Sequence, residues 1–299
     1  MSKVLIAGAT GLVGQRLVEL LIEKGFEVNV LSTRKSAQVK GASVFLWSPM
    51  QLSMDIEALK GADTIINIAG ATVNKRWTST YKQEIYDSRT RTAETLLKAI
   101  NKSESTIKNY ISASAVGIYP NDLEKFYRED DAPGNDFLAQ VCKAWEATAD
   151  KFTNLNVRVV KFRIGMVLSR NGGALQKLEP LTKFGLASPL ASGKQWMSWI
   201  HIDDLCALFI YALEKKSLQG VFNAVASAPV RNADFTKQLA KALHRPAFLP
   251  AVPAAILKLT LGEMAAIVIS SQKANSEKIV SSGFNFTYKT LPEALKALY

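Results

Sequence analysis

A strand, a glycine turn and a helix at the start of the chain place the strongest constraint on its fold. The stretch KVLIAG, residues 3–8, is a short apolar run that ends at a glycine. Gly8, Gly11 and Gly14 follow one another as GxxGxxG, and apolar residues then repeat at helical spacing. A buried strand that turns sharply into an amphipathic helix is typical of the first unit of a parallel α/β sheet.

Similar units continue through the first half of the chain. Further apolar runs that predict strands occur at 27–32, 43–47, 62–70, 109–114 and 156–165. Helical periodicity separates them, with a short helix at 55–61 and longer ones at 78–100 and 136–151. Fully apolar strands that alternate with helices predict an α/β fold, a Rossmann-type doubly wound parallel sheet with helices on both faces.

The pattern changes after residue 165. Glycine-rich loops alternate with predicted helices near 174–184, 204–215 and 232–243, and only a short strand-like run remains at 221–225. We therefore predict two domains, a Rossmann domain over residues 1–165 and a smaller, mostly helical substrate-side lobe over 166–299, which ends in helices from about 245 onward.

The most apolar long stretch lies in that second lobe, at residues 253–270. Lys258 and Glu263 interrupt it, and about 20 cleaner apolar residues are needed to span a bilayer. The stretch is therefore predicted to be a buried helix and not a membrane segment.

Charge and composition restrict the class of partner. The net charge of +11 favours anionic ligands, but the basic residues are dispersed, which argues against nucleic acid. With two cysteines the chain has no disulfide framework, which fits a reducing, cytoplasmic location, and its two histidines predict no metal site. We expect a small-molecule substrate and no membrane partner, and both a monomer and a homodimer stay open.

The glycine turn itself predicts a dinucleotide site. Gly8 allows the sharp turn, Gly11 lets the backbone approach a pyrophosphate, and Gly14 lets the helix pack closely on the strand. The helix N-terminus then offers free N–H groups to the phosphates. The alternative is a tight strand–helix turn without a ligand.

The end of the second strand indicates which nicotinamide cofactor is bound. NAD enzymes tend to place an acidic residue there for the ribose 2′-hydroxyl, whereas this chain has Ser32, Thr33, Arg34 and Lys35. An arginine with neighbouring hydroxyls suits a 2′-phosphate. NADP is therefore predicted in preference to NAD, and an exposed polar loop is the alternative interpretation.

Motifs along nearly the whole chain resemble one family. GATGLVG, NIAG after the fourth strand and SAS…Y after the fifth resemble the extended short-chain dehydrogenase/reductase superfamily. RIGMVLSRNGGAL, SGKQWMSWIHIDDL, NAVASAPVRNADF and GEMA narrow the resemblance to an atypical epimerase/dehydratase-like family whose C-terminal domain has no known function.

The resemblance implies a cofactor site in this chain. Its residues would be Gly8, Thr10, Gly11, Leu12, Val13 and Gly14 at the phosphates, Thr33 and Arg34 at the adenosine ribose, and Ile68, Ala69, Gly70, Lys143 and Met166 toward the nicotinamide, with Glu84 and Arg89 also near the cofactor. A surface ion pair between Glu84 and Arg89 is the alternative for those two residues.

The resemblance also implies a catalytic set that is incomplete here. The superfamily uses a serine and a tyrosine with a lysine four residues later, and this chain keeps Ser114 and Lys143 but has Ala139 in place of the tyrosine. Alanine cannot transfer a proton. Lys143 could still bind the cofactor ribose, or it could be a solvated helix residue.

Two substitutes for the missing acid can be considered. Tyr119 follows the fifth strand and is a candidate for proton transfer, although a substrate contact is the more usual role for such a residue. His201, Asp203 and Asp204 in the second lobe are further candidates, but an aspartate at a helix start is commonly a helix cap. Trp196 and Trp199 nearby fit a substrate-stacking loop and a core between the lobes equally well.

Three functions therefore remain. The first is an NADP-dependent oxidoreductase or epimerase that acts on a small hydroxyl or carbonyl compound, nucleotide sugars included. The second is a non-catalytic NADP-binding sensor or regulator, which the alanine at position 139 favours. A protein scaffold that uses the apolar C-terminal helices is the third.

Overall fold

The structure, a computed structural model that describes residues 2–299, is organised around one eight-stranded sheet. Six further short strands lie outside this sheet. In chain order, all the strands are β1 Lys3–Ala7, β2 Glu27–Ser32, β3 Ser43–Ser48, β4 Ser53–Met54, β5 Ala62–Asn67, β6 Asn109–Ala115, β7 Phe126–Tyr127, β8 Arg158–Ile164, β9 Met166–Ser169, β10 Trp196–Met197, β11 Trp199–His201, β12 Gly220–Ala224, β13 Val230–Arg231 and β14 Lys273–Ala274.

The order of strands in the main sheet is β12-β8-β6-β5-β1-β2-β3-β4. All neighbouring pairs are parallel except the last, in which the two-residue β4 runs antiparallel to β3. The order reverses between β1 and β5, as in a doubly wound sheet. The predicted Rossmann-type fold class is confirmed.

Within residues 2–299, ten helices cover the sheet and form the second lobe. They are α1 Leu12–Glu23, α2 Ser79–Asn101, α3 Phe137–Asp150, α4 Gly173–Lys183, α5 Ile202–Glu214, α6 Asn232–Ala242, α7 Ala254–Leu261, α8 Ala266–Ile269, α9 Glu277–Ser281 and α10 Leu291–Leu298. Apolar side chains of α1 and α5 pack on one face of the sheet, and those of α2 and α3 pack on the other. The strands between these layers are almost fully buried, which explains their continuous apolar runs.

Two segments of the predicted second lobe return to the main sheet. Strand β12 pairs with β8, with Asn223 opposite Arg163, and α5 contributes Phe209 to the core beneath that strand. The lobe beyond the sheet has its own core around Trp199, α6 and α10. Two segments that follow the predicted boundary at residue 165 are therefore part of the sheet domain and not of the second lobe.

The apolar stretch 253–270 differs from the prediction. It is broken into α7, a 3₁₀ turn and α8, because Gly262 adopts a φ of 63° where α7 ends. Helix α7 buries only Leu257, while Leu259 is 81% exposed. The prediction of a buried helix was wrong, since apolar composition alone does not show whether another element covers the helix. No helix within residues 2–299 has the length and apolar character needed to cross a bilayer.

Two buried thiols make the stability of this fold sensitive to alkaline pH. Burial raises the pKa of Cys142 and of Cys206 to about 12, whereas the pKa of a cysteine in an unfolded chain is about 8.5. The pKa of each thiol is higher in the folded protein than in the unfolded chain. Its contribution to the free energy of unfolding is therefore complete below about pH 8.5 and is lost as the pH rises toward the folded pKa.

We expect the free energy of unfolding to fall between about pH 9 and about pH 11, by up to about 1.4 kcal/mol per pH unit for each thiol. Urea denaturation at the two pH values measures this loss. A Cys206→Ala variant should lose less over the same interval, whatever its stability at neutral pH. An equal loss in the variant and the wild type would contradict the assignment to Cys206.

Candidate functional site

The glycine turn between β1 and α1 has the geometry of a phosphate-binding loop. Gly8 has a φ of 95°, and its carbonyl accepts a hydrogen bond from Gly11 N at 3.1 Å. A Cβ on Gly14 would lie 2.2 Å from Gly8 O. Helix α1 starts at Leu12 with no side-chain cap and no acidic residue in its first turn. Its first N–H groups are therefore free to bind an anion.

The end of β5 closes on this turn. A Cβ on Gly8 would lie 2.8 Å from Ala69 N, so only glycine permits the approach. The buried Asn67 orients the segment: its Oδ1 accepts from Ala69 N at 3.2 Å, and its Nδ2 donates to Tyr110 Oη at 2.8 Å. Strand β5 ends at Asn67, short of the predicted end at residue 70. Ile68, Ala69 and Gly70 thus leave the sheet beside the glycine turn.

The remaining residues of the turn are partly accessible. Thr10, Leu12 and Val13 are half-buried, and Thr10 O accepts from Gln15 Nε2 at 3.3 Å. The loop after β9 rests on the turn, because a Cβ on Gly172 would lie 3.2 Å from Leu12 Cδ1. The predicted residue Met166 starts β9, half-buried. It lies just beyond the carboxyl end of β8, on the same edge of the sheet.

The end of β2 presents basic and hydroxyl groups to solvent. Ser32 is buried and its Oγ accepts from Arg34 N at 3.0 Å, which orients the exposed Thr33, Arg34 and Lys35. None of the acidic residues in 2–299 forms an ion pair with Arg34 or Lys35. This arrangement suits an added phosphate.

Beside these residues is an open cleft of about 380 Å³ that the sequence analysis did not predict. Its lining consists of Thr33, Lys35, Leu46, Trp47, Ser48, Ser53, Met54 and Asp55. Asp55 caps a 3₁₀ turn, since its Oδ1 accepts from Glu57 N at 3.0 Å. Asp55, at the start of the short predicted helix 55–61, was the signal that could have pointed to it.

Arg89 lies beneath Gly70 without a carboxylate partner. A Cβ on Gly70 would lie 3.2 Å from Arg89 Cζ, and the guanidinium stacks 5.1 Å above the Trp145 ring. Its Nη1 donates to Ile85 O at 2.9 Å, and within residues 2–299 no acidic oxygen lies within ion-pair distance. The ion pair between Glu84 and Arg89, which was the alternative interpretation, is therefore not formed. Glu84 is exposed. Desolvation lowers the pKa of Arg89.

One face of α3 carries both the predicted lysine and the residue that contacts the end of β6. Ala139, Lys143 and Glu146 are spaced i, i+4, i+7 and share that face. Ala139 is fully buried, and Lys143 is half-buried with its Nζ 3.4 Å from Asn135 Oδ1. The Oγ of Ser114, at the carboxyl end of β6, donates to Glu146 Oε1 at 2.7 Å. The structure thus brings Ser114 to the α3 face that carries Lys143.

Ser114 is part of a buried polar network that the sequence analysis missed. Ser114, Arg163 and Asn223 are directly paired neighbours on β6, β8 and β12. Arg163 donates to both oxygens of Glu146, at 2.8 and 3.0 Å, and to Glu129 O at 2.9 Å. An arginine near a strand end and a glutamate seven residues after Ala139 were the only signals in the sequence.

Tyr119 is inside this network. Its Oη donates to Asn223 Oδ1 at 2.7 Å and accepts from Arg163 Nη1 at 3.0 Å, and the side chain is fully buried. Burial raises the pKa of Tyr119 to about 12, although the Arg163 guanidinium opposes that shift. The phenol is therefore held neutral, with its hydrogen directed at Asn223.

The further acid candidates in the second lobe have partners of their own. His201 caps α5 through Nδ1, which accepts from Asp203 N at 3.1 Å, and burial lowers the pKa of its imidazole. Asp203 pairs with Arg16 of α1 at 2.7 Å. The buried Asp204 accepts from Thr287 N at 2.8 Å and so holds the C-terminal segment.

The two tryptophans considered for substrate stacking differ in position. Trp199 is fully buried and its Nε1 donates to Ala228 O at 2.9 Å, so it closes the core of the second lobe. Trp196 is half-buried, with Arg231 4.0 Å from one side of its ring and Lys273 at 4.3 Å. Trp196 is the tryptophan of the two that a ligand can reach.

Comparison with known proteins places this geometry in a family. Residues 4–224 match the model of the NAD dependent epimerase/dehydratase family, and residues 252–298 match a domain of unknown function. An epimerase family protein of Arabidopsis thaliana, the chloroplastic SDR39U1 homolog, is 37% identical over 98% of this chain and 85% of its own length. An epimerase family protein of Staphylococcus aureus is 36% identical over 100% of this chain and 99% of its own.

A solved structure extends the similarity to the whole fold. The human epimerase family protein SDR39U1 (isoform 2), crystallised with NADPH, aligns with a TM-score of 0.88 and 31% identity over 99% of this chain and 98% of the human chain. The predicted family resemblance is confirmed, including the C-terminal domain. The chain belongs to the NAD dependent epimerase/dehydratase family.

Proposed function

We propose that this protein binds NADP(H) at the carboxyl edge of its sheet and acts on a small hydroxyl or carbonyl compound, as an oxidoreductase or an epimerase. The observation that carries the proposal is the glycine turn, where Gly14 lets α1 approach β1 and the α1 N-terminus lacks a cap. Nucleotide sugars are one substrate class to test. A reducing, cytoplasmic compartment is part of the same proposal.

The residues after β2 support NADP(H) in preference to NAD(H). Arg34 and Lys35 are exposed and Thr33 adds a hydroxyl, so a 2′-phosphate would gain charge-assisted hydrogen bonds. Asp55, the carboxylate in the adjoining cleft, already accepts from Glu57 N. The human relative crystallised with NADPH supports the same choice of cofactor.

The chain's own residues would hold the other parts of the cofactor. The N–H groups of Leu12 and Val13 would bind the pyrophosphate, and Ile68 to Gly70 would lie under the nicotinamide ribose, which Lys143 could bond. Arg89, beneath Gly70, would supply donors on that side. When bound, the nicotinamide supplies hydride-transfer chemistry.

A non-catalytic NADP-binding protein is the second candidate function. Two observations favour it: Ala139 stands where the resemblance implies a tyrosine, and the hydroxyl of Tyr119 is fully used by Asn223 and Arg163. The two functions differ in NADPH consumption. The oxidoreductase should consume NADPH in a screen of aldehydes, ketones and nucleotide-linked keto sugars, whereas the regulator should bind NADPH and consume none with any compound.

Replacing Tyr119 by phenylalanine tests whether this residue transfers a proton. We expect the change to lower the free energy of unfolding by about 1–2 kcal/mol, because Asn223 and Arg163 each lose a buried partner. Any turnover found in the screen should persist within a few-fold. A loss of turnover on the order of 100-fold or more, in a folded variant, would instead assign proton transfer to Tyr119.

A further inference from the structure

The hydroxyl of Ser114 has one hydrogen, and the structure directs it at Glu146. Ser114 Oγ is 2.7 Å from Glu146 Oε1, the distance of a charge-assisted hydrogen bond from a hydroxyl to a carboxylate. A serine hydroxyl can donate once and accept twice. With the hydrogen used, only lone pairs remain for a ligand.

Glu146 accepts this hydrogen because it is held as a carboxylate. Arg163 donates to both of its oxygens, and Lys161 Nζ lies 3.9 Å from Oε2. Both Glu146 and Arg163 are buried, so water does not compete for these bonds. An ionised carboxylate has no hydrogen to donate, and the direction of the Ser114–Glu146 bond is therefore fixed.

Ser114 is placed to meet a ligand at the cofactor site. It is the penultimate residue of β6, two residues beyond Ser112, which is the last residue of β6 that pairs with β5. The end of β5 closes on the glycine turn. The carboxyl ends of parallel strands share one edge, where ligands of such sheets bind. Lys143 is on the same face of α3 as Glu146, one helical turn nearer the N-terminus.

We propose that Ser114 is a hydrogen-bond acceptor in this protein, and that the ligand atom it contacts carries a hydrogen. The substrate group at this position is an alcohol hydroxyl or an amine, and a ketone oxygen is disfavoured because it would face lone pairs. Glu146 is the positioning residue that sets this polarity. The inference deepens the proposed function and rests on it for the location of the substrate.

Neutron diffraction from crystals of the deuterium-exchanged full-length protein tests the polarity directly. We expect the hydroxyl deuterium of Ser114 between Oγ and Glu146 Oε1, with and without NADPH in the crystal. A deuterium directed elsewhere would overturn the proposal. This measurement does not depend on turnover or on cofactor binding, so its outcome is separate from that of the proposed function.

Cyclohexanol and cyclohexanone, which differ only in the oxygen group, test the consequence for ligand choice. With NADP⁺ in excess, ligand-observed NMR should show the alcohol binding about 2- to 10-fold more tightly than the ketone, the ratio that one net hydrogen bond supplies. Ser114→Ala should bring the ratio to about 1. Ser112→Ala removes another buried hydroxyl of β6, bonded to Ala113 O, and should leave the ratio unchanged.

Other results would reject the acceptor role. A ketone that binds as tightly as the alcohol, or a ratio that Ser114→Ala leaves unchanged, contradicts it. If neither compound binds, the neutron result alone decides. Rescue is a further check: Ser114→Thr keeps a hydroxyl and should retain the alcohol preference if the variant still binds either compound.

Discussion

Gly14→Ala should weaken NADPH binding on the order of 100-fold or more and destabilise the protein by about 3 kcal/mol. The added Cβ would lie 2.2 Å from Gly8 O and 2.5 Å from Ala9 Cα, and both contacts are with backbone that cannot rotate away. Helix α1 must therefore shift from β1, which moves the N–H groups that face the phosphates. Calorimetric titration and urea denaturation measure the two effects.

Gly25→Ala is the matched control for this change. Gly25 follows α1 with a φ of 81°, and nothing lies within 4 Å of the position of its Cβ. The variant should lose about 1–2 kcal/mol of stability from backbone strain alone and bind NADPH as the wild type does. Wild-type NADPH affinity in Gly14→Ala would show that the close contact of α1 with β1 is not needed for binding.

The second large effect is expected at the buried ion pair. Arg163→Ala should lower the free energy of unfolding by about 3–5 kcal/mol, because it leaves the buried Glu146 carboxylate without its main partner. The guanidinium also donates to Tyr119 Oη and Glu129 O, and those acceptors lose a donor too. Urea denaturation, monitored by tryptophan fluorescence, gives the difference.

Arg91→Ala removes an arginine from a partly exposed pair and serves as the comparison. Arg91 Nε lies 3.7 Å from Asp87 Oδ1, with 37% of the arginine side chain exposed. This pair and the exposed hydrogen bond from Arg91 Nη1 to Met50 O, at 3.2 Å, together contribute about 1 kcal/mol or less. Similar losses for the two variants would mean that the Arg163 network is no more important to stability than a surface contact.

The fold was predictable because each unit carries its own signal. Strand β1 is almost fully buried and, after Lys3, is a continuous apolar run. Helix α3 follows Asp136, whose side chain accepts from Ala139 N at 2.9 Å. The glycine turn was equally predictable, since the close contacts at Gly8 and Gly14 admit no side chain.

The polar network was not predictable, because it depends on strand register. Ser114, Arg163 and Asn223 are far apart in the chain and meet only because β6, β8 and β12 are neighbours in one register. The last of these strands comes from the predicted second lobe. A pattern of single residues carries no information about such pairing, so the bonds of Tyr119 Oη to Asn223 and Arg163 could not be predicted from the sequence.

The exposed α7 illustrates a second limit. Its sequence, AAILKLTL, is apolar enough for a core helix, yet only Leu257 is buried. Whether an apolar helix is covered depends on the elements that surround it in the fold, and Gly262 ends α7 after Leu261.

A calorimetric titration of the protein with NADPH and with NADH tests the central claim most directly, alongside Arg34→Ala and Lys40→Ala. Lys40 is exposed in the same connection after β2 and carries the same charge, which makes it a control for net charge. We expect NADPH to bind more tightly than NADH, and Arg34→Ala to weaken NADPH by about 10- to 100-fold while Lys40→Ala changes little. Equal binding of NADPH and NADH, or no binding of either, would contradict the account.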